Sequence, residues 1–158
     1  MDTEKPLSQL SFTVTCHISK PIEQVYEAVA DPKQLSSNFT TGGAKGRVET
    51  GKEVSWDFHD FPGAFPVRVI EADKPHRIEL SWDGNRVIAE NGFNQVVFDF
   101  ESVDAGTRTK VSITESAWKP TGPGATAAFG NCEGWTGMLA AMKAWLEYGI
   151  NLRNGFYK

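Results

Sequence analysis

The sequence predicts an α+β domain, in which strands dominate the first two thirds and one long helix closes the chain. Three observations predict it. Apolar residues alternate in "LSFTVTCHIS"; between residues 44 and 118, turn residues leave only short loops between alternating runs; and after the break "KPTGPGA" the apolar period lengthens to that of a helix. Helices set apart from an antiparallel sheet define this class. A single domain over residues 1–158 is expected from the length, with residues 1–9 as a tail.

The first strand places Leu10, Phe12, Val14, Cys16 and Ile18 on one side, with His17 and small polar residues on the other. In "SKPIEQVYEAVADP" the period switches. Ile22, Val25, Tyr26 and Val29 fall at helical spacing, Pro21 suits the first turn, and Asp31-Pro32 stops a short helix. Next come paired strands. "AKGRVE" and "EVSWDF" flank a turn at Thr50-Gly51; "AFPVRVIEA" and "HRIELSWD" flank Asp73-Lys74-Pro75; "NQVVFDFESV" and "RTKVSITESAW" flank Asp104-Ala105-Gly106. Short links of this kind make an antiparallel meander. "GNRVIAENGF" fits neither period and reads as an irregular excursion.

The closing helix is expected over about residues 124–153. Trp135, Leu139, Met142, Leu146 and Ile150 recur along one stripe, widened by Met138 and Trp145. Gly130, Gly134 and Gly137 each cost about 1 kcal/mol relative to Ala. Close backbone approach, a bend or weak helicity would each account for them. A curved sheet around one long helix leaves a gap in which a ligand can sit.

Composition narrows the function classes. A net charge of −4 offers no basic footprint for phosphate, which argues against a nucleic-acid partner. "MDTEKPLSQL" lacks a signal-peptide core, and "MLAAM" is far too short to span a bilayer. A cytoplasmic location without membrane partners is expected. Cys16 and Cys132 fit no disulfide or metal framework and read as small buried hydrophobes. No phosphate-loop, dinucleotide or nucleophile signature is present, so no cofactor and no metal are expected.

The candidate ligand-binding residues are Trp56, Phe58, Leu80, Trp82, Phe98, Phe100, Trp135, Leu139 and Met142, all on faces expected to point between sheet and helix. They either fill the core or line a cavity. Glu115 joins them because "VSITESAW" alternates until it meets an acid: Val111, Ile113 and Glu115 share one parity. A lone ionised carboxylate inside an apolar wall costs several kcal/mol, so Glu115 must be paired, protonated or near water. Arg68 and a Trp indole N–H are the candidate partners, and a position at a cavity mouth is expected. A bulge that turns Glu115 out to solvent is the alternative. Asp57 and His59 alternate with Trp56 and Phe58 and should face solvent, as should His17 and His76.

This order of elements resembles the START-like, or helix-grip, superfamily. Within it the chain is similar to the family named after the activator of the heat-shock-protein-90 ATPase. The resemblance rests on "PIEQVYEAVADPKQLSSNF", "GTRTKVSIT" and "GWTGMLAAMKAWLEYG", and runs from about Leu10 to Gly149. Asn38 stands where many members carry Trp, and in 158 residues the separate chaperone-binding domain of the eukaryotic activator is not expected. The resemblance implies a curved antiparallel sheet wrapped around the closing helix, as in birch-pollen-allergen-like proteins.

Three functions compete. The leading one is non-enzymatic binding of a small hydrophobic ligand between sheet and helix. The second is a cyclase- or dehydratase-like enzyme, in which Glu115 with Asp57 or His59 would move protons. The third is an interaction module with a chaperone or another protein as partner. The sequence leaves the oligomeric state open.

Overall fold

The computed structural model describes residues 6–158; of the expected tail, residues 1–5 lie outside the described residues. Seven strands form one antiparallel sheet: β1 (Leu10–Ile18), β2 (Gly43–Lys45), β3 (Glu53–Asp57), β4 (Phe65–Asp73), β5 (Arg77–Asp83), β6 (Phe93–Val103) and β7 (Arg108–Trp118). Their order across the sheet is β1-β7-β6-β5-β4-β3-β2. From β2 to β7 each strand pairs with the next, as short links dictate, and β1 returns to pair with β7. The α+β class and the curved sheet around the closing helix are as expected.

Two helices, not one, fill the link between β1 and β2: α1 (Ile22–Ala30) and α2 (Pro32–Asn38). The sequence reading stopped at Asp31-Pro32, yet the same pair starts a second helix. The Asp31 carboxylate accepts the Lys33 N–H as an N-cap, and Pro32 takes the first position, where no N–H is needed. Asn38 then ties α2 to α1: its Nδ2 donates to the carbonyls of Ala28 (3.0 Å) and Gln34 (2.8 Å).

The closing helix α3 spans Gly122–Tyr148. Thr121 caps its start, and Gly149 stops it by taking φ 67°, a left-handed conformation that costs glycine little. Ile150, expected in the stripe, therefore falls outside the helix and is 55% exposed. The core lies between α3, α1 and the inner face of the sheet, with Val25, Val67, Ile78, Val96, Ile113 and Met138 all within it.

Two bulges tune the sheet. The β4–β5 register shifts between Val69 and Glu71, beside Ile70, which is exposed. On β7 the three steps from Glu115 to Trp118 lie opposite the two steps from Phe12 to Leu10 on β1; within that stretch Ala117 adopts φ 67°. Glu115 thus keeps the parity of Val111 and Ile113, and the extra residue brings Trp118 back inward. The excursion after β5 docks here, where Ala89 bridges Trp118 and Lys119 N–H donates to the Ile88 carbonyl.

Candidate functional site

Each inward row of the sheet has an open end and a closed end. At the open end, the C-terminal ends of β3 and β5, the start of β4 and the first half of α3 surround a cavity of about 520 Å³. Trp56, Phe58, Trp82 and Trp135, four of the predicted residues, line it. The other apolar candidates lie further along the same rows, in the closed core. Leu80, Phe98 and Met142 are 0% exposed, Leu139 is 3% exposed, and Phe100 packs edge-on against Tyr26.

Sequence reasoning missed Phe39, Phe65, Asn131, Arg153 and Tyr157, which complete the wall with Phe61, Glu133, Gly130 and Gly134. Phe39 follows α2, the helix that the reading did not place. Its ring stacks on Trp135 at 5.3 Å and meets Phe58 edge-on at 4.9 Å. Trp82 bridges Trp56 (6.1 Å) and Trp135 (6.2 Å), so the aromatic wall is continuous. Such contacts favour offset and edge-to-face geometry and hold the rings in place.

Behind this wall lies Glu115. It is fully buried, so it is neither at a mouth nor in solvent, and Arg68 is not its partner: that guanidinium pairs with exposed Asp83 at 3.1 Å. Of the two candidate partners, the indole is the one present. Trp135 Nε1 donates to Glu115 Oε1 (2.8 Å), and Asn94 Nδ2 donates to Oε2 (2.7 Å). Asn131 Nδ2 reaches both oxygens, at 3.0 and 3.3 Å. No cation pairs with Glu115 among the described residues. Burial pushes its carboxyl above the usual range, while the three N–H donors pull it back part of the way.

The two other acid–base candidates do not reach this place. The Asp57 carboxylate accepts the N–H groups of Phe58 (2.9 Å) and Gly63 (3.2 Å), which fixes the β3–β4 loop; His59 is exposed. His17 and His76 are exposed too, as expected. Cys16 and Cys132 are only half-buried, which corrects the reading of both as core residues. Among the described residues no three His, Cys, Asp or Glu side chains gather to hold a metal.

The segment after α3 forms the last part of the wall. Arg153 is 4% exposed and forks onto Asp60 of the β3–β4 loop, with N···O distances of 2.8 and 3.0 Å. Its guanidinium lies 5.0 Å from the Tyr157 ring centre and 5.7 Å from that of Phe58. This pairing holds the Asp60 carboxyl below its ordinary range. Tyr157 in turn donates to the Glu133 carbonyl (3.0 Å) and packs over Gly137, where any Cβ would collide with its hydroxyl. Gly130 and Gly134 have open space where a Cβ would stand. The three helix glycines therefore have two different reasons.

The protein SSP2350 from Staphylococcus saprophyticus is similar over 91% of this chain and 96% of its own, with 22% identity and a TM-score of 0.75. Protein BH1534 from Bacillus halodurans is similar over 89% and 100%, with 20% identity and a TM-score of 0.71. The Aha1 dimer from Colwellia psychrerythraea is similar over 89% and 98%, with 22% identity and a TM-score of 0.70. At these identities the likeness is one of fold. No curated protein matches the chain. No helix among the described residues is long and apolar enough to cross a membrane. The model of the family described as Activator of Hsp90 ATPase homolog 1-like protein matches residues 19–147, and the chain belongs to that family.

Proposed function

We propose that this protein binds a small hydrophobic molecule in the cavity between the open end of the sheet and α3, and does not transform it. One observation carries the reading: a continuous aromatic wall around about 520 Å³. That volume lies within the range of ordinary ligand pockets, which are mainly apolar with a few placed polar groups. The cyclase- or dehydratase-like reading needs a second proton-handling group beside Glu115, and its two candidates, Asp57 and His59, are absent from the cavity wall. The chaperone-partner reading rests on family membership alone.

Naphthalene, which is apolar and flat, is a suitable first probe. At a hundredfold excess over its dissociation constant a ligand adds roughly 2.7 kcal/mol to the folded state. For a domain of this size that raises Tm by about 5–10 °C. Gly134→Leu supplies the control. Its side chain enters open space in the cavity and gains about 1 kcal/mol of helix propensity. The variant should be at least as stable as the parent and should lose the ligand-induced shift. An unchanged shift in Gly134→Leu, or none in the parent across fatty acids, sterols and polycyclic aromatics, would sink the reading and favour a surface role.

A further inference from the structure

The polar groups of the cavity wall are not equally free to meet a ligand. Arg153 is held by Asp60, and the Tyr157 hydroxyl donates to the Glu133 carbonyl. The Trp135 indole N–H is turned away onto Glu115. Asn131 is the informative one. Both of its side-chain hydrogen bonds leave from Nδ2 and end on the Glu115 carboxylate.

Glu115 already accepts from Asn94 and Trp135, and an accepting oxygen fixes which end of the Asn131 amide faces it. Nδ2 points to Glu115, and Oδ1 is left over. Among the described residues no hydrogen bond to Oδ1 is present, and Asn131 is part of the cavity wall. Asn94 and Trp135 supply the other two donors to Glu115, so its oxygens hold the arrangement from three sides. Trp56 and Trp82 also line the cavity, and among the described residues neither indole N–H has a hydrogen-bond partner, so each can serve an acceptor.

Resting on the binding reading above, we infer that Asn131 is the specificity residue of the cavity, oriented by Glu115 to accept a hydrogen bond. The ligand class is an uncharged aromatic or polycyclic molecule that carries a hydroxyl. The hydroxyl donates to Asn131 Oδ1 and has lone pairs left for an indole N–H. An ether in its place can use only the indoles. A carboxylate has no proton to donate to the Asn131 carbonyl. Glu115 is a positioning residue here, since it reaches the ligand only through Asn131.

Three probes of one shape test this at neutral pH by isothermal titration: 2-naphthol, 2-methoxynaphthalene and 2-naphthoate. The parent protein should bind 2-naphthol roughly tenfold more tightly than the ether, which is the worth of one ordinary hydrogen bond. The carboxylate should bind weakest. In Asn131→Leu the preference for naphthol over the ether should vanish while both still bind. Glu115→Gln adds a readout that packing alone would not move. Its amide N–H can donate to Oδ1, turn the Asn131 amide round and narrow the same preference.

The parent comparison needs no variant to fold. Equal binding of naphthol and ether by the parent would overturn the Asn131 assignment and leave the cavity reading intact. So would a preference that survives Asn131→Leu. Tightest binding of 2-naphthoate would make Arg153 the recognising group instead. Failure of all three probes would remove the binding reading itself.

Discussion

At Glu115 strand parity sends a carboxyl inward after the aliphatic Val111 and Ile113, and three N–H donors meet it there. Burial raises the pKa of this carboxyl in the folded state, and that shift sets the sign of a pH effect. In the unfolded chain a Glu loses its proton near pH 4.3, roughly. Between that value and the raised folded one, the native state binds more protons. Stability from this group is therefore fully present below the unfolded pKa and is lost as pH rises through the folded one. Glu115→Gln cannot titrate. Urea midpoints of parent and variant, taken across acid to neutral pH, should show the parent losing ground to the variant as pH rises. A parent that gains ground would mean that the three hydrogen bonds outweigh desolvation. The sequence made part of this legible. Alternation offered Glu115 the inward face, with solvent as the alternative, and left Arg68 and an indole as candidate partners, but it could not give the depth. Depth depends on Asn94 and Asn131, which lie 21 and 16 residues away and become neighbours only through the sheet and α3.

The same division holds for whole elements. Faces were readable because periods of 2.0 and 3.6 are local properties of the chain. Positions along a face were not, since they depend on which end of the sheet stays open. Leu80 and Trp82 share a row, for example, but only Trp82 reaches the cavity. Helix α3 shows what else a period hides. Gly134 faces the cavity, whereas Gly137 yields its space to Tyr157, and nothing in the repeat of apolar residues separates the two cases. Gly137→Ala tests that reading. Ala gains about 1 kcal/mol of helix propensity yet pushes the Tyr157 ring away. The expected outcome is unchanged or higher global stability, with faster hydrogen exchange after residue 149. Arg153 should loosen with it, and the Asp60 carboxylate should rehydrate. Undiminished protection of this segment would show that Tyr157 is not its anchor.

For the molecule as a whole, short turns made the β2-to-β7 meander legible, but no local signal says that β1 crosses over to β7. Thr13 and Thr114, whose hydroxyls share a hydrogen bond of 2.8 Å, are 101 residues apart. This crossover has a kinetic consequence. Hairpins such as β4–β5 close small loops and can form early, whereas β1 has no strand to pair with until β7 exists. Loop-closure entropy must be met before such distant contacts reward it, so pairings of this span slow folding. Ile78 in β5 and Ile18 in β1 are both fully buried, and Ile→Val at each should cost about 0.5–1.5 kcal/mol. Stopped-flow kinetics would divide that loss between the two rates. Ile78→Val should slow folding, and Ile18→Val should instead speed unfolding. The opposite division would mean that β1 and β7 meet first, and that the longest-range pairing in the sheet is its nucleus.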